Sequence, residues 1–124
     1  MWTYNNYNEI YHYGILGMKW GVRRATKAKH RYSNQAQKQI DNNMKLANVN
    51  KKALKTGYDL HGNAFTSETS KRYQKEYDRY IRAAKEWTSA RDDIMNMNVS
   101  VVTAKDIKQK FKNVRSNAGG SYVY

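Results

Sequence analysis

The chain contains no cysteine and no proline. Without cysteine, disulfides and thiolate-ligated metals are excluded. Without proline, nothing in the chain removes a backbone donor or forces a kink, so long uninterrupted helices are permitted. Aliphatic and phenylalanine side chains are scarce: Ile, Leu, Val and Phe together number 19 of 124 residues. Set against a net charge of +13, that supply is too small for a broad core, although helices that need only a narrow apolar stripe can still form. No apolar run approaches the roughly 18 residues needed to span a bilayer. Near the N-terminus the longest apolar stretch, Ile15-Leu16, is interrupted by Gly17, which is too short for a secretory signal, so the cytoplasm in which the chain is made is the expected compartment.

Catalytic patterns are lacking as well. His12, His30 and His61 are the only histidines and fall on different predicted segments, with no H-x-x-H or H-E-x-x-H spacing to hold a metal. Asp92-Asp93 reads as solubilising charge rather than a catalytic dyad. No nucleophile elbow, phosphate-binding loop or dinucleotide fingerprint occurs. Gly14 and Gly17 have the spacing of a KH loop, but the strands of that module are missing. The residues point to a non-enzymatic protein with no cofactor.

What is present is helical periodicity in an all-α arrangement. Residues 1–9 read as a polar, Asn-rich arm, and Gly14, Gly17 and Gly21 predict a turn-rich segment rather than a helix, so that 1–24 forms a flexible N-terminal arm. From 25 to about 56 a helix is predicted, with Ala36, Ile40, Met44, Ala47 and Leu54 within an arc of roughly 80° and Gly57 as its stop. A loop over 58–66 turns at Gly62-Asn63. Thr66 or Ser67 caps a second helix whose apolar positions are Tyr73, Tyr77, Tyr80, Ala84, Trp87 and Ile94, widened by Ile81 and Met97 and ended near Asn98. Val99–Val102 is β-branched and reads as extended. Thr103 and Asp106 form a capping box for a short third helix carrying Ile107, Phe111 and Val114 on one face. Asn117–Gly120 ends it and leaves a flexible tail. The expected architecture is an antiparallel hairpin over 25–98 followed by a short basic helix and tail over 99–124.

Charge is unevenly spread along these segments. The first helix carries +7 and residues 99–124 carry +4, whereas the second helix is nearly balanced at +1. On the first helix Lys27, Arg31, Lys38, Lys45 and Lys52 fall opposite the apolar arc, and four of them repeat every seven residues, about 10 Å apart. Asp41 is the only acid nearby. On the third helix Lys105, Lys108, Lys112 and Arg115 lie opposite the apolar face, beside Tyr122 and Tyr124. Such stripes are the footprint of a polyanion surface, either nucleic acid contacted mainly through phosphate and without sequence preference, or an acidic protein surface. The 11 Tyr and 3 Trp interleaved with the cations offer stacking faces for single strands. Membrane-surface binding through the basic amphipathic helix is a third, weaker option, because the apolar arc is too modest to anchor the chain strongly. The heptad spacing on the second helix permits an oligomer but does not require one.

The segment His12-Tyr13-Gly14-Ile15-Leu16-Gly17-Met18-Lys19-Trp20-Gly21-Val22-Arg23-Arg24 resembles an H-x-G-[IV]-x-G-x-K-W-G-x-R-R segment of tailed-phage and prophage minor head or structural proteins. The resemblance covers about 13 residues and implies a phage origin and a virion or host-cytoplasm location. Its glycines, the Trp20 anchor, and the charges of Lys19, Arg23 and Arg24 have the character of a docking peptide; equally, Trp20 and Ile15 can cap the open end of the hairpin. Two functions are expected from these features together. One is a virion-associated or head structural protein contacting packaged nucleic acid or an acidic capsid surface. The other is a small phage effector that binds and inhibits a host defence protein.

Overall fold

A computed structural model describes the backbone of residues 14–124 and the side chains of residues 21–124. Three helices account for the architecture: α1 (Gly14–Thr56), α2 (Ser67–Met95) and α3 (Ala104–Asn117). No strand is present among the described residues; a lone antiparallel bridge joins Tyr58 to Ala64.

The helix boundaries follow the capping chemistry. Thr66 stands in extended conformation and accepts from the Thr69 N–H to start α2, while Thr103 and Asp106 form the reciprocal capping box that starts α3. Gly57, at φ 80°, lets the chain leave α1 in the left-handed region. In the loop that follows, the Asp59 carboxylate accepts from the backbone N–H groups of His61 at 2.8 Å and Asn63 at 2.9 Å. Those donors, Asn63 foremost, hold its pKa below the usual carboxylate value against the opposing effect of desolvation.

Two sequence expectations are corrected at the helix ends. The glycine-bearing segment expected to be turn-rich is the first part of α1, which runs 43 residues without interruption from Gly14. Each glycine costs about 1 kcal/mol relative to alanine but keeps its N–H, so a helix already nucleated by the packed Ala25 and Ala28 extends through them. Val99–Val102 is not extended: the N–H groups of Val101 and Val102 both reach back to the Asn98 carbonyl, and the Asn98 side chain accepts from Ser100, winding a turn between α2 and α3. The α2 helix itself stops at Met95, one turn before Asn98.

α1 and α2 form the antiparallel hairpin. At 1.5 Å per residue α1 is about 65 Å long, and α2 covers it from its C-terminal end back to the level of Lys29, whose ammonium donates to the Met97 carbonyl at 3.2 Å. The seam is lined by small side chains: Ala36, Ala47, Ala53, Ala83, Ala84 and Ala90 are all buried, so the two backbones approach closely. Large residues concentrate where α3 joins. Trp87, Ile94, Ile107 and Phe111 are buried together, with the Trp87 and Phe111 rings 5.2 Å apart and Phe111 and Tyr32 5.0 Å apart. α3 runs parallel to α1 along its N-terminal half, since Ala104 and Lys105 neighbour Arg24 and Lys27 while Phe111 meets Tyr32. An ion pair of 3.3 Å from Lys110 to Asp93 fastens α3 to α2.

The tail expected to be free is docked. Gly119 and Gly120, at φ 70° and 68°, reverse the chain so that residues 121–124 run back along α1. The Asn43 side chain exchanges two hydrogen bonds with Ser121, donating to its carbonyl at 2.9 Å and accepting from its N–H at 2.8 Å. Gln39 does the same with Val123, at 2.6 Å and 2.7 Å. Four residues of helix rise about 6 Å and two residues of extended chain about 6.6 Å. Amides at positions 39 and 43 therefore present to the tail the same alternating donors and acceptors as a neighbouring strand. Both amide side chains are completely buried, which they can be because every such bond is made.

Candidate nucleic-acid interface

Packing α3 parallel to α1 brings two basic helix faces to the edges of one groove. Arg24, Lys27 and Arg31 from α1 face Lys105 and Lys108 from α3 across a groove of about 520 Å³ floored by Ala28, Tyr32 and Ala104. Sharing Arg31, Tyr32 and Lys108, a second groove of about 240 Å³ continues it past Lys112 and Arg115 to Tyr122 and Tyr124. No acidic residue lines either groove. The only acid of α3, Asp106, is occupied at the helix start, where the Thr103 backbone N–H at 3.0 Å and the Thr103 hydroxyl hold its pKa below the usual carboxylate value. Asp41, the only acid of α1, accepts from Gln37 further along the helix.

All nine cations predicted from the sequence are solvent-exposed, but they do not form one surface. Lys27, Arg31, Lys105, Lys108, Lys112 and Arg115 converge on the continuous groove. Lys38 instead donates to the Tyr124 carbonyl at 3.0 Å and helps hold the tail. Lys45 and Lys52 lie beyond the end of α3, beside Asp41, Met44 and Val49. Of the residues of the phage-like segment, His12 lies outside the described residues. So do the side chains of Lys19 and Trp20; Gly14 and Gly17 are described only as helical backbone. Gly21 is exposed helical backbone and Arg23 is exposed. Arg24 turns out to be a groove residue. The signal for it was present, because Arg24 stands seven residues before Arg31 and extends the same stripe by one repeat.

Aromatic rings interleave with these cations. The Arg31 guanidinium lies 5.6 Å from the Tyr32 ring centroid and that of Arg115 lies 5.7 Å from the Tyr122 ring. Tyr122 is half-buried against Trp87 at 6.0 Å, and Tyr124 stands edge-on to Tyr122 at 4.9 Å with 93% of its surface exposed. The arrangement can hold a chain of phosphates by charge, and it sets flat apolar faces beside that charge. Among the described residues no group of His, Asp and Glu is placed to hold a metal, and no helix is long and apolar enough to cross a membrane.

Comparison with known proteins adds one finding: a family of unknown function, DUF7211, matches residues 6–27, a stretch that contains the whole of segment 12–24. No curated protein and no solved structure matches the chain.

Proposed function

We propose that this protein binds nucleic acid through its phosphate backbone in the α1–α3 groove, as a non-enzymatic virion-associated or head protein of a tailed phage. The observation that carries the binding role is the groove itself, where seven cations from two helices converge and no acid lines the walls. Like charges gathered this way repel one another and lower the stability of the fold, an arrangement that makes physical sense when a polyanion neutralises them. The phage setting rests on the resemblance of residues 12–24.

Binding of a mixed-sequence oligonucleotide, in single- and double-stranded form, tests the reading. Affinity is expected to fall linearly on a log–log plot against salt. The double variant Arg31→Glu/Lys108→Glu should reduce the slope by about 2, one per lost phosphate contact. It should also weaken binding by at least about tenfold more than Lys45→Glu/Lys52→Glu, which makes the same change in net charge outside the groove. Equal losses from the two pairs would show that net charge, not this groove, attracts the polyanion. No binding to either form would remove the nucleic-acid role. A host protein retained from nuclease-treated lysate, with no such binding, would support the effector function instead.

A further inference from the structure

We infer that the C-terminal end of the groove is a single-strand-specific subsite, in which an unpaired base stacks on Tyr124 while its flanking phosphates lie on Arg31, Lys108, Lys112 and Arg115. This inference rests on the nucleic-acid reading above and adds to it the form of the strand.

Four observations converge on it. Tyr124 is a large ring left 93% exposed, yet it is carried on anchored backbone. The paired amides of Gln39 and Asn43 hold residues 121 and 123, and Lys38 holds the Tyr124 carbonyl, so the backbone beneath the ring is tied at residues 121, 123 and 124. The ring is therefore a prepared surface and loses little backbone entropy when something lands on it. Next, Tyr122 supports it from below. Seated between Trp87 at 6.0 Å and Tyr124 at 4.9 Å, and with the Arg115 guanidinium 5.7 Å from its centroid, Tyr122 joins the exposed ring to the buried aromatic core. Third, four cations line the same groove as the ring, and no acid does. Finally, the rest of the basic groove, nearer the start of α3, exposes no ring of this kind: Tyr32 is half-buried there, its ring 5.0 Å from Phe111.

Charge alone does not distinguish a duplex from a single strand, since both present a phosphate chain. A stacking ring does. The bases of a duplex are stacked on each other and reach a protein ring only when unpaired and extruded, whereas every base of a single strand has an available face. Combining fixed aromatic surface with adjacent cations selects the unpaired form, with little dependence on base identity.

The test is fluorescence anisotropy with full-length protein and three probes of equal length: oligo-dT, oligo-rU and a DNA duplex. At moderate salt, one or both single strands are expected to bind at least about fivefold tighter than the duplex, in proportion to one stacked base. Whichever single strand is held tighter identifies the sugar. Tyr124→Ala should erase that preference by bringing single-strand affinity down to that of the duplex, and Tyr124→Phe should retain it. Because the Tyr124 side chain is exposed, neither substitution disturbs the core. A preference unaffected by Tyr124→Ala, or equal binding of all three probes, overturns the subsite while leaving the phosphate groove intact. Failure of all three probes to bind would remove both.

Discussion

Among the described glycines, Gly120 has the least room for a side chain. Its φ of 68° lies in the left-handed region, and a methyl group in place of its hydrogen would stand 2.5 Å from both the Ala83 Cβ and the Asn43 Oδ1. Gly119 beside it has a similar φ of 70° but open space around it. The pair separates backbone strain from close packing. Gly119→Ala is expected to destabilise by about 1 kcal/mol, the left-handed cost alone. Gly120→Ala adds overpacking against a helix seam and a buried amide, and should cost about 3 kcal/mol. Thermal unfolding of the two variants checks this, and equal shifts would mean that the tail is not seated on Asn43. None of this docking was legible from periodicity. The expectation of a flexible tail rested on Asn117–Gly120 as the end of the third helix. The tail is held by hydrogen bonds instead. Gln39 and Asn43 border the arc marked by Ala36, Ile40 and Ala47, on its side away from Met44, and polar amides flanking an apolar face were the available sign. Met44, counted in that arc, is 38% exposed, so the true face is centred on the amides' side.

At the scale of elements, capping chemistry was read correctly wherever it is local, as at Thr66, Thr103 and Gly57. It failed from Gly14 onward, where closely spaced glycines were read as a turn and the helix runs through them. The α3 capping box carries a pH prediction. Because the folded chain holds the Asp106 pKa below its unfolded value, the stability it contributes is fully present above the unfolded value. That contribution is lost as pH falls through the folded one. Helicity followed by circular dichroism should therefore decline below about pH 4, with Asp59 in the α1–α2 loop contributing in the same direction. Asp106→Asn should flatten the decline, since its amide does not titrate, and leave the Asp59 share. Parallel titration curves for the two proteins would show that the box does not govern the start of α3. That start matters to function, because Lys105 and Lys108 sit in its first turns and enter the groove only when the turn is wound.

Over the whole molecule, the sequence stripe of Arg31, Lys38, Lys45 and Lys52 was correctly exposed but divides three ways in the fold, for reasons no helical wheel contains. Where α3 stops decides which cations of α1 acquire cationic neighbours, and where the tail returns decides that Lys38 is used internally. The seven-cation groove should then leave a thermodynamic signature in the free protein. Unneutralised repulsion across the groove acts over a Debye length, about 30 Å at 0.01 M salt and about 8 Å at 0.15 M. The melting temperature is accordingly expected to rise as salt is added over that range, opposite in sign to the effect of salt on nucleic-acid affinity. Arg31→Gln/Lys108→Gln removes two of the facing charges and should raise the low-salt melting temperature while weakening its dependence on salt. Calorimetric melts of both proteins in dilute and moderate sodium chloride decide the matter. A melting temperature that falls with salt would mean that attractive pairs such as Lys110–Asp93 outweigh the facing cations. In that case the groove would carry no stored repulsion for a polyanion to relieve.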